Sequence, residues 1–77
     1  MRRTLPSTMA LQCFEAAART DSFSQAARAL NLTQGAVSRQ IRLLEALVEQ
    51  PLFERERQRV KLTAAGQLYL NEILPVL

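Results

Sequence analysis

A stripe of apolar residues at helical spacing is the clearest pattern in the chain. Four residues recur at i, i+4, i+7 and i+11: Val37, Ile41, Leu44 and Val48. At this spacing the side chains fall on one side of a helix. Thr33 stands just before the stripe, where its hydroxyl can accept a hydrogen bond from a free amide of the first turn. The pattern predicts an amphipathic helix over residues 33–48.

A shorter helix is predicted immediately before this one. It opens with Ser22 and Gln25, an S-x-x-Q capping box in which the serine oxygen accepts from the amide three residues on. Ala26 and Ala27 are small enough to let the two helices cross closely, and a tight turn at residues 31–32 forces a steep crossing angle. Two short helices joined in this way form a helix-turn-helix.

The second helix of this pair has a polar outer face. The residues expected opposite its apolar stripe are Gly35, Ser38, Arg39 and Arg42, with Gln34 beside them at the helix N-terminus. Amide and guanidinium groups can pair with base edges in the major groove of DNA. The alternative interpretation is a solvated polar face, which most amphipathic helices have.

The chain continues on both sides of this motif with further elements. A first helix is expected to begin after Pro6, with Ser7 or Thr8 as its cap, and to end at residues 20–21. Near the other end, residues 59–62 alternate between basic and apolar side chains, which is typical of a half-buried strand. Residues 52–55 form a plausible partner strand, so we predict a hairpin, or wing, over residues 52–62. Its turn is expected to consist of Glu56, Arg57 and Gln58, and its inward residues to be Phe53 and Leu62.

Positive charge is concentrated in the wing. The net charge of the chain is +3 with a pI near 10.0, and four of the ten basic residues stand within seven positions: Arg55, Arg57, Arg59 and Lys61. Such residues can contact phosphates or a minor groove if the wing lies beside the polar helix face. A charged strand edge that protects against aggregation is the alternative, and Glu54 and Glu56 favour it.

A final helix over residues 64–77, capped by Thr63, has more apolar surface than a small domain can cover. One stripe consists of Leu70, Ile73, Leu74 and Leu77, and a second of Tyr69, Ile73 and Val76. Pairing with the same helix of a second chain would bury this surplus. Pro75 should bend or end the helix, because it removes a backbone hydrogen-bond donor.

Composition excludes several other functions. The chain has one cysteine, Cys13, and no histidine, so neither an internal disulfide nor a zinc cluster is expected. Cys13 stands among apolar residues and is interpreted as a packing residue, with a redox switch as the alternative. The residues needed for catalysis are missing, and no cofactor is expected. No apolar run approaches the length of a membrane span, so we expect a cytoplasmic protein without a membrane partner.

Several motifs in the right order resemble one family, the N-terminal DNA-binding domains of LysR-type transcriptional regulators. The elements that carry the resemblance are Ser22-Phe23, Ala26-Ala27, Thr33-Gln34, Val37-Ser38-Arg39-Gln40-Ile41, Leu44-Glu45, Leu52-Phe53-Glu54-Arg55, Leu62-Thr63 and Gly66. The resemblance implies a mostly α-helical winged helix-turn-helix over residues 1–62, with three core helices and a two-stranded wing. Residues 63–77 would begin a linker helix that forms a homodimer. A separate effector-binding domain, absent from this chain, would bind a small molecule. The resemblance also allows an oligomer larger than a dimer in the full-length protein.

The resemblance also implies roles for single residues. Base contacts would come from Thr33, Gln34, Gly35, Ser38 and Arg39, and phosphate contacts from Ser22 and Ser24. Arg55 would enter the minor groove, and Glu45 would pair with a nearby arginine. The predicted dimer interface consists of Tyr69, Leu70, Ile73, Leu74 and Leu77. The predicted partner is double-stranded DNA read as an inverted repeat.

Two residues depart from the family pattern. Gly35 stands where many members have proline or alanine, and Glu49 stands where the family usually has a helix-ending glycine.

A winged helix that serves as a protein-interaction module is the remaining alternative function. Exposed apolar anchors on the outer helix face would favour that alternative, whereas Gln34 and Arg39 favour DNA.

Overall fold

Three helices, a hairpin and a fourth helix follow one another along the chain. The computed structural model describes residues 6–57 and 59–76, except for the side chain of residue 76. The helices are α1 (Thr8–Thr20), α2 (Phe23–Leu30), α3 (Gln34–Val48) and α4 (Ala64–Ile73), and the strands are β1 (Phe53–Glu56) and β2 (Arg59–Leu62). The expected mostly α-helical winged helix-turn-helix is confirmed. None of the helices that the structure describes combines the length and apolar character needed to span a membrane.

A hydroxyl side chain caps the N-terminus of each of these four helices. Ser7, Ser22, Thr33 and Thr63 each accept a hydrogen bond from the amide three residues on, over 2.9 to 3.1 Å. These bonds satisfy amides that have no partner within the helix. The predicted caps are confirmed, and Ser7 rather than Thr8 is the cap of α1.

The first three helices each end on a residue in the left-handed conformation. Asp21, Asn31 and Glu49 have φ values of 56°, 63° and 59°. This region favours glycine, and other residues enter it at a cost of roughly 1 kcal/mol. The family departure at Glu49 therefore keeps the usual turn geometry without the usual residue.

The core lies between α1, α2 and α3 and extends under the wing. Phe14 of α1 is fully buried, and its ring meets those of Phe53 and Tyr69 edge to face at 5.5 and 5.4 Å. Cys13 is also fully buried, which supports the packing interpretation. Burial raises the pKa of the Cys13 thiol, so little of it is the reactive thiolate at neutral pH.

The wing is an antiparallel hairpin whose register differs from the expected one at the turn. Phe53 pairs with Leu62 and Glu56 pairs with Arg59, so Glu56 is a strand residue and not part of the turn. Arg57, with a φ of 57°, begins a tighter connection, and Gln58 lies outside the described residues. The first strand is therefore shifted by one residue from the predicted 52–55, with Leu52 outside it, and alternation alone does not reveal this shift.

Backbone hydrogen bonds hold the wing against the helices. The Val60 amide donates to the Asp21 carbonyl in the turn between α1 and α2, at 3.2 Å. At the base of the wing, the Thr63 amide donates to the Leu52 carbonyl at 3.0 Å. Gly66 of α4 packs directly on this base, where an added Cβ would overlap the Leu52 carbonyl oxygen. The wing is therefore anchored to the domain on both sides.

The last helix is shorter than predicted. α4 ends at Ile73 and a single 3-10 turn, Leu74–Val76, follows, which confirms the expected effect of Pro75. Part of the predicted dimer stripe is covered within the monomer, because Ile73 is buried and both Tyr69 and Leu70 pack against the core. Leu77 lies outside the described residues. Among the described side chains of this segment, the large apolar ones that are exposed are Leu68 at 67% and Leu74 at 49%.

Candidate nucleic-acid interface

The first turn of α3 presents several of the predicted base-contacting residues to solvent. Thr33, Gln34, Gly35 and Arg39 are all exposed. The Thr33 hydroxyl accepts from the Ala36 amide at 3.1 Å, so this side chain is already used as the cap. Among the described residues, no heavy atom outside the local backbone lies within 4 Å of a Cβ built at Gly35. The glycine leaves this part of the helix flat and open.

Ser38 and Arg42 lie nearer the wing than the helical projection suggested. Ser38 is half-buried, and together with Glu45 and Arg42 it lines a small cavity of about 220 Å³ beneath the wing. The Arg42 guanidinium donates to the Ser38 hydroxyl oxygen at 3.1 Å. Ser38 follows the buried Val37 directly and lies one turn before Ile41, so it sits at the edge of the apolar stripe rather than opposite it.

A basic cleft joins the start of α2, the start of α3 and the wing. It has a volume of about 360 Å³ and is lined by Phe23, Ser24, Gln34, Arg55, Arg57, Arg59 and Val60. Among these described residues every polar side chain can donate a hydrogen bond and none is acidic. The structure therefore brings Gln34 of α3 together with three of the four basic residues of the wing. Such a surface is suited to anionic or acceptor-rich ligands.

Arg55 makes a cation–π contact with an aromatic ring at this cleft. The central carbon of its guanidinium lies 5.4 Å from the centre of the Phe23 ring. Phe23 is a residue whose function the sequence analysis missed, since it was noted only as part of a motif. Phe23 and Arg55 are far apart in sequence, and helical or strand periodicity gives no signal for such a contact.

Glu45 has a structural role, but its partner is not the expected arginine. Its Oε2 accepts hydrogen bonds from the amides of Leu52 and Phe53 at 2.7 and 3.2 Å. These two amides stand at the entrance to the wing. One carboxylate on α3 therefore fixes the wing beside α3.

The two serines predicted to approach phosphates differ in what their hydroxyls already contact. The Ser22 oxygen caps α2 by accepting from the Gln25 amide at 3.0 Å. Ser24 is exposed, lines the basic cleft and lies 3.2 Å from Ser22, oxygen to oxygen. Ser24 therefore has the freer hydroxyl of the two.

Metal ligation finds no support in the described ranges 6–57 and 59–76, where no group of three potential ligand side chains comes together.

The ion pair between Glu15 and Arg19 lies on α1, with N and O 3.2 Å apart. Among the described residues, no arginine of the basic cleft takes part in a salt bridge.

Comparison with known proteins identifies the family. A family described as bacterial regulatory helix-turn-helix proteins, lysR family, matches residues 8–67. The chain belongs to this LysR family. It is 54% identical over 66 residues to the HTH-type transcriptional regulator TrpI of Pseudomonas aeruginosa, which covers 86% of the chain and 22% of TrpI. It is 43% identical over 77 residues to a glycine cleavage system transcriptional activator homolog of Haemophilus influenzae, covering 100% of the chain and 26% of that protein.

Solved structures of LysR-type domains have the same fold. The CbnR DBD in complex with DNA matches with a TM-score of 0.87 and 31% identity, covering 91% of this chain and 80% of that one. Vibrio fischeri DarR in complex with DNA matches with a TM-score of 0.87 and 36% identity, covering 95% of this chain and 25% of that one. The fold is that of the DNA-binding domain of a LysR-type transcriptional regulator. The chain spans only about a quarter of the length of its curated relatives.

Proposed function

We propose that this LysR-type domain binds double-stranded DNA sequence-specifically, with α3 in the major groove and the wing toward the minor groove. The observation that carries the proposal is the basic cleft, which joins the exposed first turn of α3 to Arg55, Arg57 and Arg59. DNA offers phosphate oxygens along its backbone and mainly acceptor atoms on the purine edges of the major groove. A continuous surface of donors complements both.

Within this proposal the residues of α3 divide by their surroundings. Gln34, Gly35 and Arg39 are exposed at the N-terminal end of the helix, which is the end that reaches base edges in helix-turn-helix proteins. Arg42 donates to Ser38 and contacts phosphate, so Ser38 acts by orienting Arg42. The Thr33 hydroxyl caps the helix, and this exposed residue approaches the DNA from the helix start.

The wing supplies contacts that depend less on base sequence. Arg57 and Arg59 are exposed at the cleft and bind phosphates, with Ser24 adding a hydroxyl from the start of α2. Ser22 contributes by capping α2, whose amide-rich N-terminus favours an anion. Arg55 enters a narrow minor groove, where the negative potential is strongest.

We further propose that two copies pair through residues 63–77 and read an inverted repeat. Leu68 and Leu74 are large apolar residues that are exposed in α4 and the 3-10 turn, and a second copy would cover them. Tyr69, Leu70 and Ile73 support this surface from the core side. Effector binding is proposed only for a longer protein that contains this domain. We also propose that the protein is located in the cytoplasm, where bacterial DNA lies.

Selection of bound sequences from a random duplex library tests the proposal. We expect enrichment of an inverted repeat, and tight binding to the enriched site. Titration of the enriched duplex and a random duplex at several salt concentrations should give log K falling with log salt, by about 0.9 for each phosphate neutralised. A folded domain that enriches no sequence and shows no salt dependence would instead indicate a protein-interaction module.

A further inference from the structure

We infer that Phe23 positions Arg55 for the minor groove, holding the guanidinium in place before DNA arrives. The inference rests on the proposed function, in which Arg55 is the minor-groove residue. Its basis is the cation–π contact, with the guanidinium carbon over the ring and 5.4 Å from its centre. The contact joins two different elements, because Arg55 is exposed on the wing whereas Phe23 is buried in α2.

The Phe23 ring is a fixed platform. Only 7% of Phe23 is exposed, and its ring meets that of Phe53 edge to face at 5.5 Å, with the ring planes at 89°. Phe53 in turn contacts the fully buried Phe14 at 5.5 Å. The ring therefore cannot move without disturbing the core, so a side chain stacked on it takes its position from the core.

Arg55 occupies the right place on the wing to use this platform. It follows Phe53 by two residues along β1, so both side chains point to the same side of the hairpin. Its cross-strand partner on that side is the buried Val60. The stem of Arg55 is therefore flanked by apolar groups, and its charged end reaches the edge of the basic cleft.

Contact with Phe23 prepares Arg55 for binding without using up its hydrogen-bond donors. The phenyl ring attracts the cation through its π-electron face and carries no hydrogen-bonding group, so the guanidinium N–H groups stay available for acceptors. An unsupported arginine would lose rotamer freedom on entering a groove, and this loss weakens binding. An arginine already ordered on a ring loses less. The sequence preference assigned to Arg55 then depends on a residue that is itself almost fully buried.

The main competing explanation is that Phe23 only fills the core. Replacing Phe23 with leucine removes the ring face while keeping an apolar side chain. Phe14→Leu is the matched control, because Phe14 is equally part of the aromatic cluster but lies on α1 and contacts Phe53 and Tyr69. Both changes should lower the thermal midpoint, so the comparison is made well below both transitions.

The first measurement needs no DNA. Nuclear spin relaxation of the arginine Nε–H groups should show Arg55 more ordered than Arg57 in the unaltered chain. Phe23→Leu should reduce the order of Arg55 to that of Arg57, and Phe14→Leu should leave it ordered. Equal mobility of Arg55 and Arg57 in the unaltered chain overturns the inference, whether or not the domain binds DNA. That comparison holds even when Phe23→Leu does not fold.

The second measurement is a double-mutant cycle on DNA, using duplexes with A/T-rich or G/C-rich flanks. Phe23→Leu should weaken binding to the A/T-rich duplex by about two- to fivefold, the range for an exposed cation–π contact. The same substitution should have no effect when Arg55 is already alanine, and Phe14→Leu should leave the flank preference unchanged. An equal loss with and without Arg55 would assign Phe23 to the core alone. Absence of any binding by the unaltered chain would instead contradict the proposed function and leave the relaxation result standing.

Discussion

The Glu45 carboxylate accepts a hydrogen bond from the backbone amide of Leu52, with the two atoms 2.7 Å apart. Glu45 belongs to α3, and Leu52 is the last residue before β1. The same oxygen also accepts from the Phe53 amide at 3.2 Å. The wing arginines can act together with α3 only if both elements present one surface. This carboxylate therefore connects the stability of the wing to the proposed function.

We predict that Glu45→Ala lowers the free energy of unfolding by about 1.5–3 kcal/mol, because two part-buried amides lose a charged acceptor. Urea denaturation followed by circular dichroism measures this. Glu15→Ala is the control, since Glu15 makes an ion pair on an exposed helix surface and should contribute less than about 1 kcal/mol. Similar losses in the two variants would show that Glu45 does not anchor the wing.

The two glycines of the chain should respond to alanine in opposite directions. At Gly66 an added Cβ would overlap the Leu52 carbonyl and lie 2.8 Å from a Leu62 methyl carbon, so Gly66→Ala should destabilise the fold by about 1–3 kcal/mol. At Gly35 the Cβ has open space, and alanine favours the helix, so Gly35→Ala should stabilise by up to about 1 kcal/mol. Thermal and urea unfolding of both variants test the pair. A stable Gly66→Ala variant would contradict the close packing of α4 on the wing base.

The end of α3 offers a stabilising substitution. Glu49 has a φ of 59°, which a glycine adopts more readily, so Glu49→Gly should raise the free energy of unfolding by about 1 kcal/mol. Ala46→Gly, at an exposed position inside the same helix, should lower it by about as much. Both changes introduce a glycine, so opposite signs in urea unfolding would isolate the effect of backbone conformation. A loss of stability in both would mean that the left-handed turn is not a source of strain.

Local chemistry explains why the helices and their starts could be predicted. A cap such as Thr33 accepts from an amide three residues away, so the sequence contains both partners. The wing turn was predicted one residue too long, because alternation at Arg59 and Val60 reveals a strand but not where its ladder closes. The apolar stripe of the last helix was predicted, but helical periodicity does not tell which of its residues, such as Ile73 or Leu74, face the core.

Contacts between distant segments explain what could not be predicted at the candidate site. The partner of Glu45 is a backbone amide, which leaves no residue-type signal in the sequence. The Arg55–Phe23 contact joins the wing to α2, and it depends on how the hairpin docks on the helices. Residue types therefore indicated a basic surface, whereas the arrangement of that surface came from tertiary packing.

The proposed division between base and phosphate contacts predicts different effects for two exposed residues. Gln34→Ala should weaken binding to the selected site by about 1–3 kcal/mol and leave binding to random duplex nearly unchanged. Arg57→Ala should weaken both to a similar degree and reduce the salt slope by about 0.9. Titrations of both duplexes at several salt concentrations provide the measurement. An equal loss on both duplexes for Gln34→Ala would remove Gln34 from base recognition.

The proposed dimer predicts that one apolar residue of α4 and its 3-10 turn matters for folding and two others for pairing. Ile73 is only 7% exposed, so Ile73→Glu would bury a charge and should unfold the domain, as judged by circular dichroism. Leu68 and Leu74 are 67% and 49% exposed, so the double variant Leu68→Glu, Leu74→Glu should keep the fold. In a dimer, binding at one half-site makes binding at the other effectively intramolecular and raises affinity without new contacts. The double variant should therefore bind a duplex with two half-sites no more tightly than a duplex with one. If it keeps the full advantage of the paired site while remaining folded, the two chains pair through another surface.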